Sequence, residues 1–209
     1  GVEISNIWRK FLFGWKFDGT RLFLSGYPTS ESRIMFHRQI EDRVKTLAPF
    51  LDFDDDPYIV LADGQLYWII DAYTTSKYFP YSEPFSSTEY IEYKEGNRTR
   101  VIKNIFAPYL NGVNYIRNSV KAVVNAYSGE VNFYIIDEED PLIQVWSNIF
   151  PKMFKTQDKM PGELLQHIRY PVDMLLVQGL VYAKYHMSDP TVFYNQEDLW
   201  IRATEKYYN

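Results

Sequence analysis

Two short segments of this sequence read alike, Trp68-Ile-Ile-Asp71 and Tyr134-Ile-Ile-Asp137, and each closes an apolar run on a carboxylate. If the strands that carry them lie side by side, Asp71 and Asp137 can approach within the ~5–10 Å that glycosidase chemistry needs between two carboxyl groups. Aspartate is also a frequent strand terminator, and Asp137 opens an acidic run that Glu138, Glu139 and Asp140 continue. A second carboxylate group, Asp52, Asp54, Asp55 and Asp56, has the Asp-x-Asp-x-Asp opening of a calcium loop. An EF-hand wants Gly at the sixth position and a bidentate Glu at the twelfth, where this chain has Pro57 and Asp63. A solvated acidic linker between a helix and a strand is the plainer account.

The histidines offer little more. His186 and Asp189 flank the end of a helical pattern and complete the metal candidates, yet a cationic His is favoured at a helix C-terminus without any metal. His37 falls on or beside an apolar helical stripe, and His167 has no partner at metal-ligand spacing. The chain lacks a Gly-x-Ser-x-Gly elbow, a Gly-x-Gly-x-x-Gly turn and a Walker-type loop. No cofactor is expected, and enzymatic activity is not the favoured reading.

Composition narrows the field. The 209 residues carry 22 Lys+Arg against 27 Asp+Glu, a formal charge of −5. That balance, with no sustained basic block, argues against a nucleic-acid module. The longest apolar stretch, Val172–Ala183, is broken by Asp173 and Gln178 and is too short to cross a bilayer. No signal-peptide pattern opens the chain, and Gly1 in place of Met reads as a processed start. There is no Cys, hence no disulfide framework and no thiolate site. The unusual number is aromatic: 18 Tyr, 14 Phe and 5 Trp.

The elements that must position these side chains follow from periodicity. Ile4, Ile7, Trp8, Phe11, Leu12 and Trp15 form the stripe of an amphipathic helix, with Arg9 and Lys10 on its other side and Asp18-Gly19 stopping it. Packing of that stripe into the core is expected; an interfacial helix at a membrane surface is the alternative. Thr29 or Ser30 caps a second predicted helix running to Ala48. Tyr58–Ala62 and Gln65–Tyr73 flank Asp63-Gly64, a type I′ hairpin signal, with Ala62 opposite Gln65. Both faces of this hairpin are apolar, which predicts a place inside a larger sheet. A second hairpin joins Ser119–Tyr127 to Glu130–Asp137 around Ser128-Gly129, with Tyr127 opposite Glu130. This register gathers Val120, Ala122, Val124, Val131, Phe133 and Ile135 on a core face and Lys121, Asn125, Glu130 and Asn132 on a wetter one. Asp140-Pro141, Pro161, Pro171 and Asn195 open four further helices, to about Phe150, Ile168, Met187 and Ala203. The expectation is a single α+β domain over 1–209, with two antiparallel hairpins in a mixed or antiparallel sheet, five to six helices and an irregular insertion at 76–112. Trp8, Phe11, Trp15, Trp68 and Phe133 are expected to be buried, and the surplus Tyr to form a contact face.

Several blocks carry a family resemblance: Val2-Glu-Ile-Ser-Asn-Ile, Ser32-Arg-Ile-Met-Phe-His-Arg38, Asp63-Gly-Gln-Leu-Tyr-Trp-Ile-Ile-Asp-Ala-Tyr-Thr-Thr75 and Asn114-Tyr-Ile-Arg-Asn-Ser-Val120. Ile149-Phe-Pro151, His167-Ile-Arg-Tyr-Pro171, Tyr185-His-Met-Ser-Asp-Pro190 and Phe193-Tyr-Asn-Gln-Glu-Asp-Leu-Trp200 complete them. In order and content they resemble uncharacterised protein family 0182. The resemblance implies an internal piece of a large bacterial or archaeal multi-pass membrane protein, on the extracytoplasmic side of the cell membrane. It implies no activity, cofactor or catalytic residue. The expected role is an interaction or binding module whose partners are the remainder of its own membrane-spanning chain and a cell-envelope ligand or protein. The alternative is a cell-envelope polysaccharide hydrolase or lyase using Asp71 and Asp137.

Overall fold

The computed structural model describes residues 1–4, 6–17, 19, 26, 28, 29, 31–95, 98–105, 107–195, 197, 198 and 200, with backbone alone over 89–105. Asp18, in the expected stop of the first helix, Ser30, an expected cap of the second, and Gln196, Leu199 and residues 201–203 of the expected last helix lie outside these residues.

The chain opens with strand β1 (Val2–Glu3), helix α1 (Ile7–Lys16), β2 (Arg33–Ile34) and α2 (Ile40–Leu47). Asn6 caps α1 by accepting the Arg9 amide at 2.8 Å. The second helix is far shorter than expected, because Arg33 and Ile34 pair antiparallel with Glu3 and Val2. His37 then takes a left-handed φ of 48°, which no helix continues through.

The central sheet follows. β3 (Asp52–Phe53) and β4 (Tyr58–Ala62) both pair with the same flank of β5 (Gln65–Ser76), the longest strand. Ala62 stands opposite Gln65, and Asp63 and Gly64 have φ of 49° and 70°, so the predicted type I′ hairpin is present in its predicted register. β4 nevertheless lies at the sheet's edge. Tyr58, Val60 and Ala62 turn inward, whereas Ile59 and Leu61 are exposed.

Between β5 and the next sheet strand, the stretch expected to be irregular contains an antiparallel pair, β6 (Thr88–Glu95) and β7 (Arg98–Ile105), and a 3-10 turn at Pro108–Leu110. The Thr, Tyr, Ile and Val content of these strands supplies the β propensity. β8 (Tyr115–Asn125) pairs with the other flank of β5, and β9 (Val131–Ile135) pairs with β8.

The second hairpin is shifted from its predicted register by two residues. Val124 pairs with Val131, and Asn125 closes the loop instead of Tyr127. The Asn125 side-chain oxygen accepts the amides of Tyr127 and Ser128 at 2.9 and 2.8 Å, and Gly129 at φ 72° donates to the Asn125 carbonyl at 2.8 Å. An Asx-stabilised four-residue loop thus displaces the two-residue turn. A shift of two preserves every face, because the side-chain period is two.

Helix α3 (Pro141–Ile149) comes next, capped by Asp140, which accepts the Leu142 amide. β10 (Phe154–Thr156) adds to β9 in parallel, making the sheet mixed. The short α4 (Gly162–Leu165), α5 (Val172–Tyr185) and α6 (Pro190–Asn195) end the described chain. The fold is α+β, as the alternation of hairpins and helices predicts.

Both sheet faces are covered. Ile70, Ala72, Val120, Ala122 and Phe133 pack with Val44 of α2 and Ile143 of α3. Tyr58, Val60, Ile69, Val123 and Tyr134 pack with Met160 and with Leu164 of α4. The face expected to be wetter is therefore largely buried, and Lys121 lies within it. Helix α1 departs most from expectation. Ile7, Trp8, Phe11, Leu12 and Trp15 face outward, Trp8 and Trp15 at 72% and 82% exposure, and the buried position of the helix is Gly14.

Candidate functional site

The sequence candidates are not brought together. Asp71 stands opposite Lys121 on β8, forms an ion pair with it and is buried. Lys121 Nζ also donates to the Arg169 carbonyl at 3.1 Å. Burial pushes the Asp71 carboxyl above the usual carboxylate range, and the Lys121 ammonium pulls against that shift. Asp137 lies beyond the end of β9, beside Ser119, and pairs with Arg117 at 3.0 Å in a half-exposed setting. Two strand spacings and about three residues separate the two aspartates, roughly 14 Å between backbones. A different cation holds each.

The acidic run is dispersed as well. Asp52 Oδ2 accepts from the Thr75 hydroxyl at 2.6 Å. Asp54 is buried and serves as a hub: it accepts from Tyr73 Oη, from the Asp56 amide at 2.9 Å and from the Asp173 amide at 3.1 Å. Asp56 is exposed. The Asp189 side chain accepts the Thr191 and Val192 amides at 2.7 and 3.1 Å, capping α6. His186 stacks on Trp200 at 4.1 Å between ring centroids, and its Nε2 lies 3.6 Å from Asp198. Among the described residues, no group of three or more His, Cys, Asp or Glu side chains has the arrangement of a metal site.

The chain instead builds a set of buried carboxylates that fasten elements to one another. Asp140 is the most connected. Its Oδ2 accepts from Ser119 Oγ at 2.6 Å and Thr74 Oγ1 at 2.5 Å, and its Oδ1 from Tyr115 Oη at 2.6 Å and the Leu142 amide at 3.1 Å. The register of β5 and β8 slips between Ala72 and Thr74, so that β8 spends one more residue than β5 there. This bulge re-aims Ser119 toward Thr74 and the start of α3. Burial alone would raise the Asp140 carboxyl; the donors from Ser119, Thr74, Tyr115 and Leu142 outweigh it and hold the group below its ordinary value. Tyr115 in turn is pushed up to about 12 by burial and by the carboxylate it donates to.

Asp173, in the first turn of α5, accepts from Tyr109 Oη at 2.6 Å. Burial, followed by the nearby Asp54 carboxylate, raises it above the usual range. Tyr73 and Tyr109 are both driven upward by burial and by the carboxylates they donate to, so each remains a phenol donor at any ordinary pH. Tyr58 is pushed up to about 12, chiefly by burial, and the Arg169 guanidinium lies 4.5 Å from its ring centroid.

Sequence reading anticipated the Asp140-Pro141 cap but not the three hydroxyls that converge on it. Tyr73, Lys121 and Asp173 were not anticipated as polar anchors. The one signal for them was a charged or hydroxyl-bearing residue at an inward parity of a strand or helix.

Two clefts open on the surface. One, of about 520 Å³, lies against α5 and is lined by Phe85, Leu110, Val113, Ile116 and Val177, with the Glu83–Lys184 pair also among its residues. The other, of about 710 Å³, lies between α2, β2 and the β8–β9 loop. Neither is lined by Asp71 or Asp137.

The sequence pattern of Uncharacterised protein family (UPF0182) matches residues 1–209, the whole chain. The chain belongs to this family. A UPF0182 protein of Sulfurovum sp. (strain NBC37-1) is 50% identical over 208 residues, which cover 99% of this chain and 21% of the relative. A UPF0182 protein of Cupriavidus necator is 48% identical over 200 residues, 96% of this chain and 20% of the relative. One from Trichodesmium erythraeum is 43% identical over 209 residues, 99% of this chain and 22% of the relative. The chain thus spans about a fifth of the length of the UPF0182 relatives it matches. No solved structure matches it. The relatives are named only as UPF0182 proteins, and nothing in those names supports a hydrolase. No helix among the described residues is long and apolar enough to cross a membrane.

Proposed function

We propose that this UPF0182 region is a non-enzymatic interaction module that packs against the remainder of its own, longer chain on the extracytoplasmic side of the cell membrane. The observation that carries the contact is helix α5. Met174 and Val177 are buried on its inner side, whereas Val172, Leu175 and Tyr182 are exposed on its outer side, and Val181 and Tyr185 are exposed toward its C-terminal end. A helix that is apolar on all sides is normally covered on all sides. The chain that would cover it is at hand, since the relatives are about five times as long as this region. The extracytoplasmic setting rests on the family resemblance.

The chain contains no Cys, so a single introduced thiol reports one position. Leu175→Cys and Val181→Cys are to be labelled with a water-soluble maleimide in the 209-residue chain and in the full-length protein, with labelled peptides read by mass spectrometry. Labelling at least about tenfold slower in the full-length protein is expected, as local opening then limits access. Equal rates in both would remove the proposal. Accessibility of the same thiols to an impermeant maleimide in intact cells tests the side of the membrane.

A further inference from the structure

The 710 Å³ cleft carries one sign of charge. It is lined by Lys16, Arg38 and Arg43 and, among the described residues, by no Asp or Glu, in a chain whose formal charge is −5. Elsewhere, cations that bridge elements meet carboxylates: Arg33 meets Glu3, Arg117 meets Asp137, Lys121 meets Asp71 and Lys184 meets Glu83. None of the three cleft cations forms an ion pair with a described carboxylate. A concave surface of one sign concentrates its field on the space it encloses.

Arg43 shows how that charge is held. Its Nε donates to the His37 carbonyl at 3.1 Å, its Nη1 to the Gly129 carbonyl at 2.8 Å and its Nη2 to the Phe36 carbonyl at 3.5 Å. His37 offers its carbonyl from a left-handed backbone at φ 48°. Gly129 leaves room for the guanidinium, because a Cβ there would lie 3.0 Å from Nη2. Three of the five guanidinium N–H groups are thus engaged, all by neutral oxygens. These contacts orient a half-buried charge without offsetting it. Lys16 is brought to the same cleft through Phe36, whose ring lies 5.8 Å from Phe13 and 5.8 Å from Phe17, with Lys16 Nζ 5.0 Å from its centroid. Lys16 and Arg38 are exposed, and Trp68 and Tyr127 add aromatic surface to the lining.

We propose that this cleft binds a small, soluble, multiply charged oxyanion of the phosphate class, a diphosphate or a phosphate ester. Arg43 is the fixed donor, and Lys16 and Arg38 close on the ligand from the exposed side. Three cations without a carboxylate match an anion of two or three charges, whereas a single carboxylate would leave the cleft positive. The N–H groups that Arg43 keeps free suit phosphate oxygens, with which guanidinium makes strong, directional hydrogen bonds. The volume is that of a small-molecule site, and Trp68 and Tyr127 give an organic body attached to the phosphate a surface to rest on. The proposal does not depend on what covers α5.

The test is isothermal titration of the 209-residue chain with inorganic pyrophosphate, the amino terminus being acetylated because Gly1 also lines the cleft. Sodium chloride at constant ionic strength holds the general salt effect fixed. One-to-one binding is expected. Lys16→Gln and Arg38→Gln should each weaken it about tenfold, while Lys45→Gln, an exposed cation of α2 outside the cleft, should change it less than about twofold. These side chains are exposed, so the variants should keep the parent's circular dichroism and melting temperature. Two further arms fix the ligand class: citrate should bind more weakly than pyrophosphate, and the chain should not float with vesicles containing phosphatidylglycerol. Absence of pyrophosphate binding, binding indifferent to Lys16→Gln and Arg38→Gln, or an equal loss from Lys45→Gln would overturn the site. Citrate binding as tightly as pyrophosphate would overturn the phosphate class, and flotation would overturn the assignment to a soluble ligand.

Discussion

Lys121 and Asp71 face each other in register across β8 and β5, as an ion pair whose side chains are 2% and 3% exposed. Two charges in the middle of a sheet face are a weak source of net stability, because desolvation offsets most of their attraction. They are a strong source of loss when only one is removed. Lys121→Met should cost about 3–5 kcal/mol, and adding Asp71→Leu should recover most of it. Urea unfolding of the two variants beside the parent decides this; a double variant no more stable than Lys121→Met would contradict it.

Asp140 gives the chain an acid limb. Its folded carboxyl lies below its ordinary value, so on acidification the unfolded state takes up the proton first. The stabilisation is complete above the unfolded value of about 3.9 and is lost as pH falls through the folded one. Asp140→Asn should cost about 2 kcal/mol at neutral pH and flatten the acid side of the stability profile. Chemical denaturation at a series of pH values measures both effects.

Asp173 acts in the opposite sense. Its folded carboxyl is raised, so the folded state holds the proton longer, and the contribution is full below the unfolded value. It is lost as pH rises through the folded value. Asp173→Asn keeps an acceptor for Tyr109 Oη and removes this dependence. Relative to the parent, the variant should therefore gain stability with rising pH across that window. A gap between the two that stays constant with pH would contradict the assignment.

Helices α1 and α3 should respond differently to truncation. Trp15→Ser on α1 should change stability by no more than about 0.5 kcal/mol. Ile143→Ala on α3, at a fully buried position, should cost about 2–5 kcal/mol. Thermal and urea unfolding of both variants checks the pair. A large loss at Trp15 would mean that the α1 stripe is packed after all.

That contrast shows what the sequence could and could not reveal. Strand parity and turn chemistry are local, so the Asp63-Gly64 hairpin was legible to the residue, and so was the Asp140-Pro141 cap. The faces of the second hairpin were legible too, although Asn125 captured two amides and moved the closure by two residues. The amphipathic stripe of α1 was visible, but periodicity reports that a helix has an apolar side and says nothing about what meets it. Arg33–Ile34 was read as helix because its pairing with β1 is a contact across some thirty residues. The candidate carboxylates were assigned by type alone. Whether Asp71 meets Asp137 or Lys121 is settled by strand order, and strand order is not a local property.

Strands β5 and β8 close on each other across the whole segment between Ser76 and Tyr115, and the β6–β7 pair sits inside that segment. This has a kinetic meaning. The β6–β7 pairing is local and needs no other element, so it can form before the central sheet does. Once formed, it shortens the free chain that the sheet must close by about half, which lowers the entropic cost of closure by about 0.6 kcal/mol. The excursion that interrupts the sheet in the sequence therefore eases its assembly. Loosening β6 and β7 should slow folding while leaving the unfolding rate nearly unchanged.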